Sequence, residues 1–124
     1  MADLDHFKRI NDDFGHQTGD RVLMVVAQIL KESCREVDFI ARYGGEEFLL
    51  LLPETPSNGA IFVCERIRKA VEDHDWDQLK AGLKVTISQG IAYNTKVENH
   101  LVMLHQADAK LYEAKRAGRN TVKY

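Results

Sequence analysis

The amino-acid sequence predicts an α+β sandwich of the ferredoxin-like kind, an antiparallel sheet flanked by helices. Three observations lead there. Apolar residues recur at helical spacing in three long stretches. Short β-branched or leucine-rich runs lie between them. The order reads strand, helix, helix, strand, hairpin, strand, helix, strand, helix, which is two split βαβ halves on one sheet. At 124 residues, 44% hydrophobic and 29% charged, the chain has the size of one domain and enough apolar material for a core.

The elements follow in order. "MADLD" reads as the last residues of a strand. Strands usually run about 5–6 residues, so the first strand is expected to be incomplete, with something missing at the N-terminus. "DHFKRINDDFG" reads as a short helix, with Asp5 as its N-cap and Gly15 as its stop. Thr18 is expected to cap the next helix, in which Val22, Val25, Val26, Ile29 and Leu30 recur on one face. "VDFIARY" and "FLLLLP" are strand-like, and "GGEE" between them makes a hairpin. "TPSNGAIFVCERIRKAVED" is a helix that turns Ala60, Cys64, Ile67 and Val71 inward. "LKVTISQGIAY" is a strand weakened at Gly90. "HLVMLHQADAKLYEAKRAG" closes the fold as a helix with Leu101, Leu104, Leu111 and Ala114 inward and Gly118 as C-cap.

Composition excludes several classes of function. A net charge of −2 argues against a protein that coats nucleic acid. No run is long and apolar enough to span a bilayer, and no signal peptide is evident, so no membrane contact is expected from this segment. Cys34 and Cys64 have no framework spacing and read as reduced, buried thiols of a cytoplasmic protein.

The chemistry concentrates in two places. Asp3 ends the first strand, and in this topology that strand can lie beside the hairpin that carries Glu46 and Glu47. Two carboxylates with a backbone carbonyl make an all-oxygen site suited to Mg²⁺ or Mn²⁺. The plain alternative for "GGEE" is a solvated turn. Behind a capped helix start, the amides of His6, Phe7 and Lys8 lack internal partners and suit phosphate, and Lys8 adds charge. A metal next to a phosphate cradle is how phosphoryl-transfer sites are built. Asn11, His16 and Asp20 punctuate the stretch that follows. An Asp and an Asn together suit the guanine edge, which adenine does not reproduce; as loop and cap residues they would need no ligand.

"DLDHFKRINDDFGHQTGD", "RYGGEEF", "VTISQGIA" and "ADAKLYEAKRAGRN" resemble, in order and spacing, the motifs of the GGDEF family, the catalytic domains of bacterial diguanylate cyclases. The resemblance runs from Asp3 to Asn120. It implies the palm-type, nucleotide-cyclase version of the fold, as a single domain over residues 1–124. It implies condensation of two GTP into cyclic di-GMP with release of two pyrophosphates, at an interface between two copies of the chain. Asp3, the Leu4 carbonyl and Glu46 would hold the metal. Glu46 would also deprotonate the attacking 3′-hydroxyl, with Glu47 beside it. Asn11 and Asp20 would read guanine with His16 nearby, while His6, Phe7, Lys8, Lys115 and Arg119 would hold the phosphates. Lys115 and Arg119 are expected one turn apart on the last helix. Arg35 and Asp38 match the R-x-x-D inhibitory motif that binds cyclic di-GMP away from the catalytic centre, and Arg66 matches its secondary contact; a bare surface ion pair is the alternative.

The family normally has an upstream helix with a D-x-L-T-G-L-x-N-R-type motif and a complete first strand, and neither is in this sequence. Two other functions fit less well. One is a module that holds GTP or cyclic di-GMP without turnover, against which the intact Asp3, Glu46, Lys115 and Arg119 argue. The other is a different metal-dependent nucleotidyl transferase, against which the guanine-suited Asn11 and Asp20 argue.

Overall fold

The computed structural model describes residues 1–93 and 99–124. The chain runs β1 (Ala2–Leu4), α1 (Phe7–Phe14), α2 (His16–Ser33), β2 (Phe39–Arg42), β3 (Glu47–Leu51), α3 (Ser57–Asp73), a 3₁₀ turn (Trp76–Gln78), β4 (Ile87–Gly90), α4 (His100–Arg116) and β5 (Val122–Lys123). The strands form one sheet in the order β2-β3-β1-β4-β5. The expected order of elements is met, and β5 is added to it. All pairings are antiparallel except β4 with β5, which is parallel, so the sheet is mixed. Two residues at the chain end give no periodicity from which β5 could be read.

The central position of β1 follows from its content. Ala2 and Leu4 are buried on one face, where Val22, Val26 and Leu30 of α2 and Ile67 and Val71 of α3 close over them with Phe48 and Ile87. Each such Val, Leu or Ile contributes about 1.5–3 kcal/mol by leaving water. Met1 and Leu49 alternate with Ala2 and Phe48 along their strands, and so meet Ala107 and Leu111 of α4 on the opposite face. The inward face read for α3, Ala60, Cys64, Ile67 and Val71, is the buried set.

Four local expectations are corrected. Thr18 does not cap α2. Gly15, at φ 88°, is both the stop of α1 and the N-cap of α2, so the helix has already begun by Thr18, whose hydroxyl donates back to the Phe14 carbonyl. Leu101 lies in the exposed first turn of α4, and Ala107 takes the inward place. The helix ends at Arg116 with Ala117 as C-cap, one residue before Gly118 at φ 107°. Cys34 is the C-cap of α2 and only half-buried. Cys64 is buried as expected, and burial pushes its thiol up to about 12.

Gly90 is a close-packing position, not a weak point. A Cβ there would lie 2.1 Å from the Leu111 nitrogen and 2.2 Å from the Ala107 oxygen. Only glycine lets β4 meet the α4 backbone at this distance.

Candidate active site

The hairpin and β1 bring the carboxylates together. Antiparallel pairing sets Asp3 opposite Glu47 on one side and opposite Ser88 on the other. The Leu4 amide donates to the Glu46 carbonyl at 3.2 Å, which pins the hairpin tip to β1. The tip itself is held by Arg42, whose Nη2 donates to the Gly45 carbonyl at 2.7 Å and whose Nε lies 3.2 Å from the Gly44 carbonyl. A Cβ at Gly44 would come within 2.6 Å of the Glu47 Oε2, so the Glu47 carboxylate leans over that glycine.

The electrostatics of this seam are those of a crowded anion site. Asp3 is only 5% exposed. Burial pushes its carboxyl up, and the hydrogen-bonded Lys115 opposes the rise, with Lys115 Nζ 2.7 Å from Asp3 Oδ2. Glu46 is also raised, first by burial and then by the charge of Asp3, while Lys115 again opposes. A buried carboxylate that raises its neighbour and draws in an ammonium leaves room for further positive charge. Among the described residues no three His, Cys, Asp or Glu side chains converge. Two carboxylates with backbone oxygen nearby are hard donors, of a kind that suits Mg²⁺ or Mn²⁺ and not a closed zinc site.

The segment expected to cradle phosphate lies directly after β1. The first bond within α1 runs from the Ile10 amide to the His6 carbonyl, so the amides of Phe7, Lys8 and Arg9 have no acceptor inside the helix. Phe7 and Ile10 are buried and anchor the helix, while Lys8 is exposed. Asp5 is not the cap. His6 takes that position at φ 55°, with no side-chain cap bond. The Asp5 carboxylate points inward instead, to partners far along the chain.

Asn11 and Asp20 fall on facing turns of α1 and α2. A Cβ at Gly19 would lie 1.9 Å from Asn11 Oδ1, so Gly19 makes the space in which the carboxamide sits. Asp20 lines a groove of about 630 Å³ between α2 and the hairpin, with Leu23, Met24, Ile40 and Phe48 as its apolar wall. His16 is exposed at the start of α2. Arg119 is not on the last helix as expected. It follows α4 in a left-handed turn at φ 67°, yet its charge still favours the Asp3 carboxylate.

Arg35 and Asp38 stand apart from this seam, in the turn between α2 and β2. Asp38 accepts from the Arg35 amide at 2.7 Å and from Nη2 at 2.8 Å, and the guanidinium beside it holds its carboxyl below the usual range. Arg35 Nη2 also reaches the Pro53 carbonyl at 2.9 Å. Arg66 donates to the Ser33 carbonyl and lies over the Phe62 ring. Arg35 and Arg66 both flank Cys34, whose thiol burial pushes up against their pull.

Asp5, Gly19 and Arg42 were not singled out as site residues from the sequence. For Arg42 the signal was available: an arginine two residues before a Gly-Gly turn can reach the turn carbonyls.

The chain matches the family described as "Diguanylate cyclase, GGDEF domain" over residues 1–121. It is 46% identical over 123 residues to diguanylate cyclase A of Treponema denticola, covering 98% of this chain and 33% of that protein. It is 45% identical over 120 residues to diguanylate cyclase DgcP of Pseudomonas aeruginosa, covering 97% of this chain and 18% of that protein. It thus spans a third or less of the length of these relatives. Among solved structures, the GGDEF domain of DgcB from Caulobacter crescentus in complex with c-di-GMP superposes with a TM-score of 0.91 at 37% identity, over 98% of this chain and 73% of that one. The active GGEEF domain of a diguanylate cyclase from Vibrio cholerae superposes with the same TM-score of 0.91 at 32% identity, over 98% and 78%.

Proposed function

Because the chain belongs to the GGDEF family of diguanylate cyclase domains, we propose that it joins two GTP molecules into cyclic di-GMP, each chain of a facing pair holding one nucleotide. The observation that carries this reading is the β1–hairpin register, which pairs Asp3 with Glu47 and the Leu4 amide with the Glu46 carbonyl just before the open amides of α1, with Lys115 against Asp3.

Each half-reaction forms a bond from the 3′-oxygen of one GTP to the α-phosphorus of the other. It breaks the bond to the β-phosphate oxygen, and pyrophosphate leaves. Glu46 accepts the 3′-hydroxyl proton, a role that suits a carboxylate raised by burial and by Asp3. The amides of His6, Phe7 and Lys8, the Lys8 side chain, Lys115 and Arg119 hold the phosphate oxygens. Asp3, the Leu4 carbonyl and Glu46 would hold Mg²⁺ or Mn²⁺, which when bound would supply charge neutralisation at the reacting phosphate. Asp20 accepts from the guanine ring N–H and amine, and Asn11 donates to its acceptor edge.

Incubation with GTP or with ATP and Mg²⁺, followed by chromatography of the products, tests the assignment. Cyclic di-GMP from GTP and no cyclic product from ATP is the expected outcome. A different guanine product, or an ATP product of equal yield, contradicts it. Asn11→Ala and Asp20→Ala are expected to weaken GTP binding by roughly one to two decades, since each strands polar groups of the base. Calorimetry on both variants checks this, and unchanged preference for GTP over ATP removes the guanine reading.

Product regulation belongs to the same proposal. Cyclic di-GMP bound at Arg35 and Asp38 does not occupy the GTP site and instead bridges to Arg66 of a second copy, holding the two active sites apart. A guanidinium contact to phosphate or guanine contributes about 1.5–3 kcal/mol. Arg35→Ala is therefore expected to raise the inhibitory concentration of cyclic di-GMP by roughly one to two decades and to spare basal activity. Initial rates at several GTP concentrations check it. Identical curves, or relief of inhibition by GTP, would mean that Arg35–Asp38 is an ordinary ion pair.

A further inference from the structure

We propose that Asp5 is a positioning residue, holding the turn that carries Arg119 against the catalytic seam; this rests on the reading of Arg119 as a phosphate ligand. The Asp5 side chain is 4% exposed. Its Oδ1 accepts from Ser88 Oγ at 2.6 Å. Its Oδ2 accepts from Thr86 Oγ1 at 2.7 Å and from the Asn120 amide at 3.0 Å. One carboxylate thus joins the end of β1, the β4 segment and the turn after α4.

The turn needs such a hold. Arg119 and Asn120 are non-glycine residues at φ 67° and 45°. Consecutive left-handed residues are strained and persist only where surroundings enforce them. The Arg119 amide donates to the Ala114 carbonyl at 3.1 Å, and the next amide, of Asn120, donates to Asp5. The backbone of Arg119 is therefore fixed on both sides. From α3, Glu72 and Arg68 fasten the Asn120 carboxamide at 2.7 and 3.1 Å. With both oxygens of Asp5 engaged by donors, the carboxylate acts as an acceptor in the fold.

Acceptor geometry makes a sharp distinction between two variants. In Asp5→Asn, the carboxamide oxygen can keep the Thr86 and Asn120 donors, while its amine donates to the Ser88 hydroxyl, which accepts as readily. In Asp5→Ala, the Asn120 amide is stranded. Binding of α,β-methylene GTP, whose α–β bridge is not cleaved, provides the first readout. Asp5→Ala is expected to weaken it roughly ten- to hundred-fold, and Asp5→Asn by less than about threefold. Arg119→Ala in the Asp5→Ala background should cost less than about twofold more, because the two act through one contact. Hydrogen exchange of the unaltered protein provides the second readout: the Asn120 amide should exchange at least about a hundredfold more slowly than an open turn amide.

Additive losses, or an Asp5→Asn variant as weak as Asp5→Ala, would overturn the proposal. So would a freely exchanging Asn120 amide in the unaltered protein, a measurement that stands even where Asp5→Ala does not fold. If the unaltered protein fails to bind the analogue, the cyclase reading falls, and the Asn120 exchange rate still decides whether Asp5 clamps the turn.

Discussion

Glu46→Gln should lower the rate of cyclic di-GMP formation by roughly two to four decades and leave the fold intact. The change removes a negative charge and keeps the side-chain volume. On the proposed mechanism it takes away the proton acceptor and one metal ligand together, so the loss falls on turnover more than on packing. The expected effect on stability has a definite sign. Burial and the charge of Asp3 raise Glu46 in the folded protein above its unfolded value. The stability associated with its neutral form is fully present below the unfolded value and is lost as pH rises through the raised one. At neutral pH the uncharged glutamine removes that strain, so the melting temperature should be unchanged or slightly higher. Turnover by chromatography and thermal unfolding by circular dichroism measure the two effects. Near-normal turnover would remove Glu46 from the reaction, and a collapsed melting temperature would make its role structural.

Gly90→Ala should destabilise the domain by about 3 kcal/mol or more, for a single added methyl group. The atoms it would meet, Leu111 N and Ala107 O at 2.1 and 2.2 Å, are backbone and have no rotamer to change. To make room, α4 must move off β4, which opens the cluster of Met1, Ala107 and Leu111 and shifts Lys115 on the same helix away from Asp3. The loss is a large part of the stability of an ordinary domain, about 5–15 kcal/mol. It should appear as a fall in melting temperature of about 10 °C, or as insoluble protein. Gly45→Ala is the matching control, since a Cβ there meets nothing within 4 Å. Similar melting temperatures for the two variants would show that the β4–α4 approach relaxes at little cost.

Gly90 also marks where sequence reasoning stopped short. A glycine in a β-branched run reads locally as a weak strand, and the helix that demands it lies some twenty residues further on. The same limit governs Asp5. Its position before a helix suggested a cap, but its partners Thr86, Ser88 and Asn120 are 81, 83 and 115 residues away. Such long-range bonds leave no trace in local spacing. What was legible was periodic or contiguous. The α3 face read from spacing is the buried face, and the hairpin flanked by apolar runs forms where "GGEE" put it. The meeting of Asp3 with the hairpin was legible too, because the order of elements forces β1 to the sheet centre. The course of the chain after α4 was not. Gly118 signalled the end of the helix, but nothing local announces that Arg119 and Asn120 stay left-handed.

On the proposed function one chain carries half of a two-nucleotide reaction, with one carboxylate seam and one nucleotide site. The most direct test is the initial rate of cyclic di-GMP formation from GTP and Mg²⁺ over a dilution series, with the assembly state followed by light scattering. Where the protein is monomeric, halving its concentration should lower the rate about fourfold, because two loaded chains must meet. A rate strictly proportional to protein concentration in a species that scattering shows to be monomeric would contradict the claim.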